Sequence, residues 1–173
     1  MNLIEKLNWR YATKRMNGQS VPQSSIDNIL EAIRLSPSSM GLQPYHCFVV
    51  CDKDLLQKIN AEACKQPQII EGSHVIVFAA WKNIEDAHVD AFIQNIADTR
   101  NAPMESLGGF KAMIKGAAAP QSAEQIFNWN ARQAYIGLGF GLVAAAIESV
   151  DATPMEGFDN AAMDKVLGIS DSN

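Results

Sequence analysis

The sequence SAEQIFNWNARQAYIGLGFGLVAAAIES, residues 122–149, decides the fold, because it is the longest helical pattern in the chain. Its apolar side chains recur at helical spacing, and its second half is apolar on every side. Such a helix is surrounded by protein, so we expect it at the centre of the fold and in a dimer interface. No strand precedes Gly137, Gly139 and Gly141, which favours close helix packing over a dinucleotide-binding turn.

Shorter patterns before this helix predict an α+β fold, a small mixed β-sheet flanked by helices. Residues 46–51 and 73–81 are apolar runs without alternation, which predicts strands covered by helices on both faces. Helices are also expected over residues 84–100 and part of 104–115. Two further helices are indicated by apolar side chains at helical spacing, namely Ile26, Ile29, Leu30 and Ile33 in one and Leu55, Leu56 and Ile59 in the other.

Composition sets the class of protein. A chain of 173 residues, 47% hydrophobic and 19% charged, fits one globular domain over residues 1–173. The net charge of -5 argues against nucleic acid and anionic membranes as partners, since both need clustered cations. An acidic residue, Glu5, precedes any apolar run, so we expect no signal peptide and a cytoplasmic protein. Three cysteines and three scattered histidines do not form a ligand set, so no metal is expected.

Three segments carry groups suited to a phosphorylated ring cofactor. Residues 10–15, RYATKR, follow a short helix with three cations, which suit phosphate but also a helix end. Residues 36–45, SPSSMGLQPY, form a loop of hydroxyl and amide groups, which is also an ordinary turn composition. In residues 151–159, DATPMEGFD, backbone N–H groups can bond a ring nitrogen, and Asp159 can simply cap a helix.

The order and spacing of these segments resemble the nitroreductase family over essentially the whole chain. The resemblance rests on four pieces: residues 10–14, residues 36–45, the strand opening SHVIV at residues 73–77, and PMEGF at residues 154–158. It implies a nitroreductase-like fold, a homodimer, and FMN bound between the subunits. By resemblance, relatives continue for several dozen residues past the position of Asn173. Either the chain is shortened, or FMN phosphate is held by fewer cations, with Arg15 and Lys65 as helpers of Arg10, and the dimer is less wrapped.

The resemblance also assigns roles to individual residues. Arg10 would bind the FMN phosphate, Tyr11 and Ala12 would line the ribityl chain, and Lys14 would reach the N1/O2 edge of the flavin ring. The backbone N–H of Glu156 would bond flavin N5, which makes Glu156 and Lys14 the catalytic residues. The remaining cofactor-binding residues fall in three groups. In the loop these are Pro37, Ser38, Ser39, Gly41 and Gln43, of which Ser38, Ser39 and Gly41 come from the partner subunit. The others are Lys65 and Gln68, and Pro154, Met155 and Gly157 along the ring.

The activity implied by the resemblance is transfer of reducing equivalents from NADH or NADPH through flavin N5 to small electron-poor acceptors. Nitroaromatics, quinones and flavins are the expected acceptors, in a ping-pong reaction. Two alternatives stay open. One is other flavin chemistry on the same fold, such as dehalogenation or flavin fragmentation, decided by residues 101–120. The other is a non-catalytic FMN-binding dimer module.

Overall fold

The computed structural model describes residues 2–169, whose helices and strands confirm the expected α+β fold. The long helix is present, and the four shorter helical patterns also form helices. The elements in chain order are α1 Leu3–Trp9, α2 Gln23–Arg34, a 3-10 turn Ser39–Gly41, β1 Tyr45–Val50, α3 Lys53–Glu62, α4 Gln68–Glu71, β2 Val75–Ala80, α5 Asp86–Arg100, a 3-10 turn Met104–Leu107, α6 Gly108–Ala118, α7 Ala123–Ile147 and α8 Asn160–Leu167.

The sheet has two strands, β1 and β2, within the described residues. The N–H of Trp81, just after β2, donates to the carbonyl of Pro44, just before β1, at 3.0 Å. The beginning of one strand therefore lies beside the end of the other, so the pair is antiparallel. The prediction that helices cover both faces of the strands is wrong for this chain, since every residue of β2 is only half-buried.

Contacts divide the described chain into two compact units. The first unit contains residues 2–36, 47–78 and 136–169. Its main core lies under α3, where Leu56 and Ile59 are fully buried and pack with Met163 of α8. The α2 helix buries Ile26, Ile29 and Ile33, as its spacing predicts.

The second unit contains residues 37–46 and 79–135. Its core is formed by Val89 and Ile93 of α5, Ile114 of α6, and Leu42. Asn130 of α7 is fully buried, and its amide Nδ2 donates to the carbonyl of Trp81 at 2.8 Å.

Helix α7 contributes residues 123–135 to the second unit and residues 136–147 to the first. Close packing is confirmed at Gly141, where an added Cβ would lie 3.0 Å from Ile33 Cδ1, but Gly139 has nothing within 4 Å. The prediction that protein surrounds the second half is wrong for one chain alone. Ile136, Phe140 and Ile147 remain 39%, 43% and 53% exposed, because no described residue covers them.

Candidate functional site

An extended segment follows α1 and carries two of the predicted cations. Helix α1 is closed at its start by a capping box, in which the Asn2 side chain accepts from the Glu5 N–H and the Glu5 side chain accepts from the Asn2 N–H. The helix ends at Arg10, whose φ of -72° and ψ of 140° are extended. Arg10 is half-buried and Lys14 is exposed, so both cationic groups are accessible to a ligand. Tyr11, 63% exposed, and the exposed Ala12 lie between them.

The carbonyl oxygen of Thr13 joins three predicted cofactor segments of the first unit. It accepts a hydrogen bond from Gln68 Nε2 at 3.1 Å and another from Thr153 Oγ1 at 2.8 Å. Thr13 lies between Arg10 and Lys14 in the basic segment, Gln68 begins α4, and Thr153 directly precedes Pro154. The structure therefore brings the basic segment, Gln68 and the 154–157 turn together.

Residues 154–157 form a turn without helix or strand, anchored to the α3 core on both sides. Met155 Sδ lies 3.9 Å from Cys64 Sγ, and the Asp159 N–H donates to the Ala63 carbonyl at 2.9 Å. Glu156 and Gly157 are exposed. The anchoring holds the backbone on either side of Glu156, whose N–H is the predicted donor to flavin N5.

The loop that contains Lys65 is fixed by a side chain of α3. Asn60 Nδ2 donates to the Cys64 carbonyl at 3.1 Å and to the Gln66 carbonyl at 2.8 Å. Lys65 itself is exposed, directly before the turn into α4. The loop backbone around Lys65 is therefore fixed, three residues before Gln68, while the Lys65 side chain stays at the surface.

Gln68 offers a buried acceptor for a ligand. The side chain is 4% exposed, and its Oε1 has no hydrogen-bond partner within residues 2–169. The Thr13 carbonyl can only accept, which fixes the other end of the amide as the donating nitrogen. An unsatisfied buried oxygen costs about 1–3 kcal/mol, so this site suits a ligand that presents an N–H group. The flavin ring edge carries such a group, and the residues present thus fit FMN.

Arg15 has a different partner from the one expected. Its guanidinium makes a two-pronged ion pair with Glu71, with Nε to Oε1 at 2.7 Å and Nη2 to Oε1 at 2.5 Å. The Met16 N–H also donates to Glu71, at 3.0 Å. The side-chain hydrogen bond from Arg15, followed by the backbone bond from Met16, lowers the pKa of Glu71. Arg15 therefore ties the basic segment to α4 rather than standing free as a helper for phosphate.

The loop at residues 37–43 belongs to the second unit and has an unusual backbone. Met40, Gly41 and Gln43 all have positive φ, at 56°, 70° and 48°. Such φ values strain the two residues that are not glycine, so the surrounding bonds must hold them. The Ser39 N–H donates to Gln133 Oε1 at 2.8 Å, and the Gln43 N–H donates to Ser38 Oγ at 2.9 Å. That Pro37, Ser38, Ser39, Gly41 and Gln43 bind the cofactor, with Ser38, Ser39 and Gly41 reaching it from the partner subunit, stays a prediction.

Cysteines and histidines do not gather into a ligand cluster in the described part of the chain. Cys47, Cys51 and Cys64 are free thiols, and burial raises the pKa of Cys47 to about 11. No group of three or more potential ligands is found among residues 2–169. The same residues contain no helix long and apolar enough to cross a bilayer.

Sequence reasoning missed Thr13 and Thr153, which hold the site together. Thr13 acts through its backbone, which no sequence motif displays. Thr153 has one visible signal, its position directly before the turn at Pro154. Glu71 was also missed, because its partner Arg15 lies far away in the sequence.

Comparison with known proteins identifies the fold and the family. A solved structure from Exiguobacterium sibiricum 255-15, titled as a putative nitroreductase in complex with FMN, superposes with a TM-score of 0.85 at 16% identity, covering 99% of this chain and 82% of that one. That likeness gives the fold, a nitroreductase-like α+β fold. The family model for the nitroreductase family matches residues 7–173.

Two curated relatives agree with this family match. The protein named "Putative NAD(P)H nitroreductase SERP2086" of Staphylococcus epidermidis is 32% identical over 96% of this chain and 77% of its own length. "Putative NAD(P)H nitroreductase SSP0379" of Staphylococcus saprophyticus is 29% identical over 95% of this chain and 78% of its own length. The chain belongs to the nitroreductase family.

Proposed function

We propose that this chain is an FMN-dependent oxidoreductase that passes reducing equivalents from NADH or NADPH to small electron-poor acceptors. The observation that carries the proposal is the Thr13 carbonyl, which joins the basic segment, Gln68 and the turn before Glu156 in one unit. Family membership supports it, as do the relatives' names, which specify NAD(P)H, and the FMN in a structure of the same fold.

FMN, when bound, supplies hydride acceptance and donation at its N5 atom, and the protein supplies position and electrostatics. Arg10 binds the phosphate, and Tyr11 and Ala12 line the ribityl chain. Lys14 places a positive charge at the N1/O2 edge, where it stabilises the negative charge of the reduced ring. Gln68 Oε1 accepts from the ring's N–H, which removes the cost of an unsatisfied buried oxygen.

Turn residues Pro154, Met155 and Gly157 lie along the ring in this proposal, and the Glu156 N–H donates to N5. Lys65 adds a cation near the α4 end of the site. Ser38, Ser39 and Gly41 complete the site from the partner subunit, and Pro37 and Gln43 of the same loop also bind the cofactor. No side chain acts as a nucleophile. In this proposal the donor and the acceptor would occupy the same place in turn, which is a ping-pong reaction, with nitroaromatics, quinones and flavins as acceptors.

The proposed dimer follows from apolar surface in the first unit. Helix α1 exposes Ile4 by 65% and Leu3 by 49%, and α7 exposes Phe140 and Ile147. A hydrogen bond from Lys6 to Ser149 joins α1 to the residues just after α7, so these side chains belong to neighbouring helices. Several exposed apolar side chains on neighbouring helices indicate a protein interface, here with a second copy. A single domain over residues 1–173 and a cytoplasmic location stay predictions.

The test compares Arg10→Ala with Lys14→Ala in FMN titrations and in potentiometry. Loss of a charge-assisted phosphate contact is worth about 1.5–3 kcal/mol, so Arg10→Ala should weaken FMN binding about ten- to a hundredfold. Lys14→Ala should mainly lower the flavin potential. Lys58→Ala, an exposed lysine of α3, is the matched control and should behave as wild type.

The wild-type protein should show a flavin spectrum that NADH or NADPH bleaches and a quinone restores. Light scattering of the same sample should give twice 18.9 kDa. Equal FMN affinity in Arg10→Ala and wild type would refute the assignment of the phosphate site. A bound flavin that no nicotinamide reduces would instead support the non-catalytic module.

A further inference from the structure

An open cleft in the second unit shares Gly41 with the loop of the proposed cofactor site, but the proposed function assigns no role to its other lining residues. Its volume is about 410 Å³, within the range of small-molecule sites. One wall is a single face of α5, because Phe92, Ile96 and Arg100 follow each other at four-residue spacing. The 3-10 turn and α6 supply Leu107 and Phe110 opposite this face, and Met40 and Gly41 close one side.

The walls of the cleft are held by bonds outside its lining. Two ion pairs join α5 to α6, Asp90 to Lys111 at 2.6 Å and Asp86 to Lys115 at 2.7 Å. The strained turn that carries Met40 and Gly41 is anchored by the bond from the Ser39 N–H to Gln133. The walls of the cleft are therefore fixed before a ligand binds, which reduces the conformational entropy lost on binding there.

Apolar side chains in the cleft remain partly open to water. The rings of Phe92 and Phe110 lie 6.2 Å apart in a tilted arrangement, and both are only half-buried, as is Leu107. Covering such surface is worth roughly 25 cal/mol per Å², which favours an apolar occupant. The buried core of Val89, Ile93 and Ile114 lies under the same helices, so the cleft does not close by collapse without disturbing well-packed residues.

Among the described residues that line the cleft, Arg100 alone carries a charge. It ends α5 and takes part in none of the ion pairs between described residues. No carboxylate lines the cleft beside it. An apolar surface with one accessible cation is complementary to a molecule with an apolar body and one negative group.

We propose that this cleft binds an amphipathic carboxylate, with its chain against Phe92, Leu107 and Phe110 and its carboxylate on Arg100. The proposal goes beyond the oxidoreductase function and does not rest on it, since binding is measured directly.

The test is calorimetric titration of the purified protein with decanoate and with decanol, both below their aggregation concentrations. Decanoate should bind about ten- to a hundredfold tighter than decanol, the range expected for a charge-assisted bond. Arg100→Gln should remove this preference while leaving decanol binding unchanged. Arg34→Gln, whose arginine is paired with Glu31 in the first unit, is the matched control and should keep the preference.

A second variant tests the location of the cleft. Leu107→Trp fills the space between α5 and α6 and should weaken both ligands at least about tenfold, while circular dichroism confirms that the variant is folded. Amide NMR shifts on adding decanoate should concentrate at residues 40–41 and 92–110. Equal affinity for decanoate and decanol, a preference retained in Arg100→Gln, or unchanged binding in Leu107→Trp would each overturn the proposal.

Discussion

The two compact units hold their functional segments by different means. In the first unit, segments that are distant in sequence meet at one uncharged backbone oxygen, that of Thr13. In the second, exposed ion pairs join the consecutive helices α5 and α6, and a strained turn is held by one buried glutamine, Gln133. The site segments of the first unit therefore depend on the geometry of the hydrogen-bond donors, whereas those of the second unit depend on charge and on local backbone conformation.

The largest effect is expected from core substitutions, which test whether the two units unfold separately. Leu56 in the first unit and Ile114 in the second are both fully buried, so Leu56→Ala and Ile114→Ala should each cost about 2–5 kcal/mol of unfolding free energy. Because β1 and α7 contribute residues to both units, we expect one cooperative transition in each variant. Denaturant unfolding followed by far-UV circular dichroism and by tryptophan fluorescence measures this.

Fluorescence distinguishes the units because Trp81 and Trp129 lie in the second and Trp9 lies in the first. Within a Trp9-only variant, and within a variant lacking Trp9, fluorescence and circular dichroism should give the same midpoint. A fluorescence midpoint that differs from the circular dichroism midpoint of the same variant would show independent units and would contradict the single domain predicted over residues 1–173.

A smaller effect is expected at the Thr13 carbonyl. Thr153→Val keeps the shape of the side chain but removes the hydroxyl donor, which should cost about 0.5–1.5 kcal/mol of unfolding free energy. FMN affinity should fall severalfold, since the turn before Glu156 loses its tie to the basic segment. Thr153→Ser restores the donor and should restore both quantities. If Val and Ser variants bind FMN equally well, the hydroxyl does not position the turn.

The smallest effect concerns charge and pH. The bond from Arg15 lowers the folded-state pKa of Glu71 below its ordinary 4.5, so its contribution to stability is present above that pH and lost as pH falls through the folded value. The pKa of Asp90 is lowered in the same way by the hydrogen bond from Lys111, so its contribution to stability is also lost in acid. Glu71→Gln and Asp90→Asn should therefore destabilise at neutral pH and match wild type in strong acid.

The two variants differ in their effect on the cofactor. Glu71→Gln should weaken FMN binding, because Glu71 holds Arg15 and Met16 of the basic segment. Asp90→Asn should leave FMN affinity unchanged. Equal FMN titration curves for Glu71→Gln and wild type would assign Glu71 to stability alone.

The sequence predicts the elements of this fold better than their surroundings. Periodic apolar residues located α2, α3 and α7 correctly, because a buried helix face repeats every turn. Exposure of α7 and β2 was not predicted, since an apolar side chain looks the same whether its own chain or another covers it. The sequence motifs identified the segments of the candidate site. They did not reveal what joins them, because the joining atom at Thr13 belongs to the backbone.

Because the junction is a main-chain oxygen, the identity of residue 13 can vary in the family without loss of the acceptor. Every amino acid supplies that oxygen, so replacing the side chain at position 13 leaves both acceptor positions in place. The donors at Gln68 and Thr153 are side chains and are subject to substitution. In an alignment of relatives that keep this junction, constraint should appear as retained donors at positions 68 and 153. Position 13 is limited by its buried volume and by its hydroxyl, which donates to the Arg15 carbonyl at 2.8 Å. A deep mutational scan should show the same asymmetry, and only an amide-to-ester replacement, which weakens the backbone acceptor, would test Thr13 itself.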